Sequence, residues 1–224
     1  KGFQWPSTKF PIAFCPVFGT EEKRGNSYVN LAEVVRVESV LRALLKPGDL
    51  QQHDIGIISP YTSQVLNIKQ HVQAITKGRR DGPVEVASID GFQGREKDVI
   101  ILSCVRSNEH QGIGFLSDPR RLNVALTRAR YGLILLGNAR VLAQDPLWHA
   151  LLTHMQGKNC LAEGTLANLK PSLVQLPRPR RGGQGTERRL RRTALGRPEG
   201  YFDQARGDNR DDHWAGDVHD PDYD

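Results

Sequence analysis

Three short segments carry the residue types that handle phosphates and nucleotides: Ser59-Pro60-Tyr61, then Asp90-Gly91-Phe92-Gln93-Gly94-Arg95-Glu96, then Asn123-Val124-Ala125-Leu126-Thr127-Arg128-Ala129-Arg130. In the second, Gly91 and Gly94 frame a loop directly after an apolar run. Without side chains there, backbone N–H groups can come close to a phosphate or a sugar. The same spacing also suits a plain turn between strands. Glu96 follows, a carboxylate able to accept hydrogen bonds from a ribose hydroxyl; between Arg95 and Lys97 it equally reads as a surface charge. In the third segment Arg128 and Arg130 stand two residues apart on an expected helix, so they point roughly 200° apart and only one can serve a given site. An arginine at a domain edge can neutralise charge on a transferring γ-phosphate. A plain surface arginine is the competing reading.

The pattern around these segments alternates strand and helix. Ile12 to Phe18 reads as a short strand, followed by a loop rich in Gly and Glu. Asn30 as N-cap and Glu33 three residues on form a capping box. The helix they open carries Val34, Val37, Leu41 and Leu44 on one stripe and stops at Lys46-Pro47-Gly48. A strand is expected over Ile55 to Ser59, and Val65, Ile68, Val72 and Ile75 then recur at helical spacing. Past a polar turn from Gly78 to Gly82 come a strand at Val84 to Ile89 and the run Val99 to Val105. That run is apolar on both alternating faces, as in a central parallel strand. Asp118-Pro119 opens a helix expected to run through Ala129 and end near Tyr131. Leu133 to Leu136 is a further buried strand, and Asp145-Pro146 opens a last helix bearing Leu147, Leu151, Leu152 and Met155. The order βαβαββαβα implies right-handed crossovers and a mostly parallel sheet with helices on both faces. Ligands in such folds sit off the strand ends, where all three segments fall.

The chain has 224 residues, of which 38% are hydrophobic, room for one domain with a non-core remainder. A net charge of +6 suits a phosphate-rich partner. Cys15, Cys104 and Cys160 lie far apart, which argues against a zinc site and a secreted disulfide framework and points to a reducing compartment. No apolar run approaches the roughly 20 residues that span a bilayer. The histidines show no metal spacing; His213 and His219 lie among aspartates, where solvated disorder is the plainer reading. From Pro171 onward periodicity stops: Arg178 to Arg197 is rich in Arg, Gly and Pro, and Asp203 to Asp224 in Asp. Residues 171–224 are therefore expected to form a disordered tail, whose basic block suits RNA or its own acidic block, or is simply solvated. Lys1 opens the sequence and Met155 is its one methionine, so the chain is expected to continue upstream.

In this order and spacing, Val86 to Val105 and Gly112 to Gly137 resemble the fifth and sixth conserved motifs of superfamily 1 helicases. Ser59-Pro60-Tyr61 resembles the fourth-motif segment that touches nucleic acid. The stretch Leu102-Ser103-Cys104-Val105-Arg106-Ser107-Asn108-Glu109-His110-Gln111-Gly112-Ile113-Gly114-Phe115-Leu116 is similar to the up-frameshift RNA helicases of nonsense-mediated mRNA decay, as are Phe3-Gln4-Trp5-Pro6 and Pro146-Leu147-Trp148. The resemblance covers Gly2 to Leu169.

It implies an α/β, RecA-like second helicase lobe over residues 1–170, with ATP in a cleft facing the first lobe of the same protein and single-stranded RNA across the top of both. Glu96 would contact the nucleotide sugar, Gly94 and Arg95 would shape that loop, and Arg128 would be the arginine finger. Pro60, Tyr61, Gln64, Ser88 and Asp90 would lie along the RNA; Tyr61 also reads as packing beneath the loop. ATP would come with Mg²⁺ held mainly by the first lobe. Nonsense-decay factors are the further partners implied, with a cytoplasmic setting, no membrane, and 5′-to-3′ movement. The sequence lacks G-x-x-x-x-G-K-[ST], a paired acidic motif after a strand, and the family's Cys/His-rich zinc domain, so the chain alone is expected to be inactive. A truncated piece and a split gene would look alike. The only Ser-Gln dipeptide is Ser63-Gln64 inside the core, whereas animal relatives carry many in their tails. Two other readings stay open: a non-catalytic module binding RNA or decay factors, and a lobe of a related superfamily 1 helicase working on DNA or RNA–DNA hybrids.

Overall fold

The computed structural model describes residues 3–78, 81–166 and 168–179. In chain order its first elements are β1 (Ile12–Pro16), β2 (Glu22–Arg24), β3 (Ser27–Val29), α1 (Leu31–Leu45), β4 (Ile55–Ser59) and α2 (Thr62–Thr76). There follow β5 (Glu85–Ser88), β6 (Lys97–Ser103), α3 (Pro119–Leu126), β7 (Ala129–Gly137), α4 (Ala139–Leu142), α5 (Pro146–Gly157), β8 (Ala162–Thr165) and β9 (Asn168–Pro171).

Five strands form one sheet in the order β1-β7-β6-β4-β5, and every neighbouring pair is parallel. Strand β6 shows why. Val99 and Ile101 enter the core under α1 and α2, with Val37, Leu41 and Ile68, while Ile100 and Leu102 enter the opposite core with Phe92, Leu122 and Trp148. A strand apolar on both sides must be covered on both sides, and only crossover helices do that for parallel neighbours. The result is the expected RecA-like α/β architecture. Among the described residues no helix is long and apolar enough to cross a membrane.

The structure departs from the sequence reading in several places. The expected loop after β1 contains an antiparallel hairpin, β2–β3. The helix opened by Asp118 stops at Leu126, and Ala129 already belongs to β7. Tertiary pairing overrides helix propensity here: Lys97 of β6 takes Ala129 as its partner and donates its N–H to the Arg128 carbonyl at 3.1 Å. Arg128 and Arg130 therefore leave a loop and a strand, not one helix. A second hairpin, β8–β9, follows the last helix. The described chain then continues past residue 170: Ser172 donates its N–H to Leu161 at 2.7 Å, and Val174 and Leu176 pack on the core. Residues 180–224, with most of the basic block and all of the acidic block, lie outside the described residues.

Only half of the expected capping box forms. Asn30 accepts from the Glu33 N–H at 3.2 Å, but its own N–H is donated to Gln64 at 2.9 Å. The Glu33 carboxylate, completely buried, turns to the Ser103 hydroxyl at 2.6 Å and the Val105 N–H at 2.9 Å. Burial pushes its pKa up to about 7, against the hydrogen bonds from Ser103, Val105 and Cys104, with the Glu21 charge adding to the rise. A folded-state value above the unfolded one stabilises the fold at low pH, and that contribution is lost as pH rises through about 7. Denaturation between about pH 5 and pH 8 should show wild type losing on the order of 1–2 kcal/mol that Glu33→Gln retains. Parallel pH profiles would remove the assignment.

Candidate functional site

Two surfaces gather the chemistry-bearing residues. The first joins the loop between β5 and β6 to the connection between α3 and β7. Phe92, completely buried, anchors the loop, and two residues on Gly94 adopts φ +73°. A side chain there would be strained, and no atom stands within 4 Å of where its Cβ would be, so the loop backbone is open to an incoming group. Glu96 is exposed beside it, with no hydrogen-bond partner among the described residues. An open glycine backbone next to a free carboxylate fits the sugar and phosphate end of a nucleotide.

Arg128 closes this surface. Its Nε donates to the Val124 carbonyl at 3.0 Å, and its terminal nitrogens donate to the Arg95 carbonyl at 3.3 Å and the Thr127 hydroxyl at 3.0 Å. All three acceptors are neutral. Its neighbours differ: Arg130 is paired with Asp98, Arg95 with Glu85 and Arg121 with Asp90. Of the two arginines two residues apart, Arg128 alone keeps its charge uncompensated among the described residues while being fixed in place. Among those residues no group of three or more His, Cys, Asp or Glu is arranged to hold a metal ion.

The second surface is a cleft of about 460 Å³ off the carboxyl ends of β4 and β5. Pro60, Tyr61, Ser88 and Asp90, four of the five residues expected along the RNA, line it. Ser88 accepts from the Gly91 N–H at 3.1 Å and keeps its own hydroxyl proton to donate. Asp90 holds Arg121 at 3.4 Å, and the Arg121 guanidinium lies 4.6 Å from the centre of the Phe115 ring. Helix α2 begins at this cleft without a side-chain cap on Tyr61; the Ser63 N–H is donated to the Ser27 hydroxyl at 3.0 Å, which leaves the Thr62 and Gln64 N–H groups of the first turn at the positive end of the helix. Tyr61 is 3% exposed, its hydroxyl donating to the Ile113 carbonyl at 3.3 Å, so it forms the cleft's floor while packing beneath the loop.

Gln64 is not at the cleft surface. It is completely buried, and its amide bonds Asn30 and Ser103. The sequence reading missed Arg24 and Asn26 on the β2–β3 hairpin, and Phe115 and Arg121, all of which line the cleft. The hairpin left no period-2 apolar signal, since β2 is exposed throughout. The adjacent Arg120-Arg121 pair at the start of α3 was the one available cue.

A family model described as an AAA domain matches residues 1–140. The chain is 49% identical over 205 residues to a regulator of nonsense transcripts 1 homolog of Neurospora crassa, covering 89% of this chain and 19% of that protein. It is 53% identical over 188 residues to regulator of nonsense transcripts 1 of Dictyostelium discoideum, 82% of this chain and 14% of the relative. It is 50% identical over 181 residues to the ATP-dependent helicase NAM7 of Saccharomyces cerevisiae, 79% of this chain and 18% of the relative. The chain thus spans less than a fifth of the length of these curated relatives. With a model match over most of its length and the strand order and strand-end sites described above, the chain belongs to the AAA domain family.

Proposed function

We propose that this chain is the second ATPase lobe of an ATP-dependent RNA helicase that acts in nonsense-mediated mRNA decay, in the cytoplasm, with decay factors as its protein partners. Residues 1–170 form the lobe together with Ser172, Val174 and Leu176, which bond to or pack on the same core, and the remainder is a tail. The observation that carries the reading is Arg128, a fixed guanidinium with neutral partners only, held against the Gly94–Glu96 loop. Such a group answers the charge that develops on a transferring phosphoryl group. The names of the relatives, regulator of nonsense transcripts and ATP-dependent helicase, support the same activity.

Glu96 accepts the sugar hydroxyls of ATP, and the open backbone at Gly94 and Arg95 admits the nucleotide. The first lobe supplies the phosphate-cradling loop and the residues for Mg²⁺. Arg128 then reaches the γ-phosphate only when the two lobes close, so hydrolysis and reopening alternate the grip on RNA. RNA runs through the cleft of Pro60, Tyr61, Ser88 and Asp90, with its phosphates toward the α2 N-terminus. Gln64 acts from beneath.

The test is ATP hydrolysis by the full-length protein with and without single-stranded RNA. Stimulation by RNA is expected. Glu96→Ala should weaken ATP affinity by about tenfold and leave RNA affinity within about twofold. No stimulation by RNA, with stimulation by DNA instead, would favour a DNA-directed relative; no turnover at all would favour a non-catalytic binding module.

A further inference from the structure

Strand β6 ends at Ser103, and the chain leaves it through a turn that a β-branched residue rarely takes. Val105 has φ +71°, and Arg106 donates its N–H to the Cys104 carbonyl at 2.8 Å, closing a strained γ-turn around Val105. Such a conformation persists only where its surroundings over-determine it. Here the first turn of α1 does so. Both Glu33 carboxylate oxygens accept the Val105 N–H at 2.9 Å, and the Asn30 amide donates to the Val105 carbonyl at 3.2 Å.

Those two side chains belong to a closed network. Ser103 donates to Glu33 at 2.6 Å, Gln64 donates to Ser103 at 2.9 Å, and Gln64 returns to Asn30 through both its oxygen and its nitrogen. All four are completely buried. A buried carboxylate without a cation is costly, and an apolar residue would fill the space without that penalty. Its task lies one residue beyond the turn.

Arg106, 5% exposed, is a hub. It pairs with Glu21, which precedes β2, at 2.9 Å, and donates to Gln111 at 3.1 Å and to the Tyr61 hydroxyl at 3.5 Å. Its guanidinium also lies 4.3 Å from the centre of the Tyr28 ring on β3, and Tyr28 meets Tyr61 edge-on at 5.4 Å. One side chain thus ties the hairpin wall, the Tyr61 floor and the loop leading to Phe115.

We propose that Glu33 is a positioning residue of the single-strand cleft: by holding Val105 in its left-handed turn it aims Arg106, which fixes the spacing of the cleft walls. This rests on reading the cleft as the RNA track. Glu33 touches no RNA; it acts through Val105 and Arg106. Gln64 belongs to the same device through Ser103.

The experiment measures affinity of the full-length protein for a fluorescent single-stranded oligoribonucleotide, with ATP affinity in parallel. Glu33→Ala should weaken RNA binding by about tenfold with ATP affinity unchanged. Glu33→Gln, whose amide oxygen still accepts the Val105 N–H, should remain close to wild type. The decisive variant is Glu33→Ala with Val105→Gly: glycine takes the left-handed turn unaided, so RNA affinity should recover, whereas a packing defect at Glu33 would not be repaired. A folded Glu33→Ala protein that binds RNA normally, or a double variant no better than Glu33→Ala, overturns the proposal. Where Glu33→Ala gives no folded protein, Arg106→Lys carries the test, since it keeps the charge and loses the fork; about a tenfold loss is expected, and wild-type affinity would overturn the role. If wild type itself binds no RNA, the track reading falls and this one with it; if wild type binds and the variants match it, this one falls alone.

Discussion

Arg128→Ala in the full-length protein should lower the RNA-stimulated turnover of ATP by about a thousandfold or more, the range measured where an arginine answers a transferring phosphate. The geometry makes the expectation specific. The guanidinium donates to two carbonyls and a hydroxyl and meets no carboxylate among the described residues. Its interaction with charge would therefore grow as charge accumulates on the reacting oxygens, lowering the barrier more than it tightens binding. The loss should fall on kcat, with KM for ATP changed by much less and RNA affinity retained. Arg130→Ala, which removes the partner of Asp98 instead, should keep turnover within about threefold. Equal effects of the two variants would assign Arg128 to the surface and withdraw the catalytic reading.

Trp148→Ala should destabilise the fold by about 3–5 kcal/mol, read from chemical denaturation followed by far-UV circular dichroism. Trp148 is completely buried in the core beneath α5, among Leu122, Leu135 and Leu152. Its indole N–H donates to the Leu116 carbonyl at 2.9 Å. The variant leaves a cavity and a buried carbonyl without a partner at the same time. Trp148→Phe separates the two, filling most of the space while still orphaning Leu116, and should cost about 1–3 kcal/mol. Because Leu116 follows Phe115 in the cleft wall, the phenylalanine variant should also weaken RNA binding. A loss below about 1 kcal/mol for alanine would show that α5 is not part of the cooperative core.

The sheet was legible because its signal is local and redundant. Ile55 to Ser59 and Val99 to Val105 are apolar runs too short and too branched for helices; the first forms β4 throughout, while the second is strand only as far as Ser103, Val105 lying in the turn beyond. That Gly94, Glu96 and Arg128 share a surface follows from a different feature: each lies just before a strand of an adjacent parallel pair, β6 or β7, so strand order brings them to one edge. What stayed hidden depends on partners that no periodicity reports. Glu33 has the spacing of a capping box, yet its carboxylate goes to a strand end 72 residues away. Gln64 follows the cleft segment in sequence, but the helical turn carries it under α1 instead of onto the surface. Phe115 and Arg121 gain meaning only when the loop before α3 folds beside Tyr61. The end of α3 was misplaced because the claim of β6 on Ala129 is a tertiary fact.

The hydrogen bond from the Lys97 N–H to the Arg128 carbonyl joins the two segments of the first surface at the backbone. It riveted the arginine to the residue just after Glu96, across two adjacent strands of a sheet covered on both faces. The two backbone segments that carry the carboxylate and the guanidinium are accordingly held at a fixed spacing. An edge tied in this way would answer a bound phosphate by displacement of the whole body more than by bending, as a latch plate moves with its door.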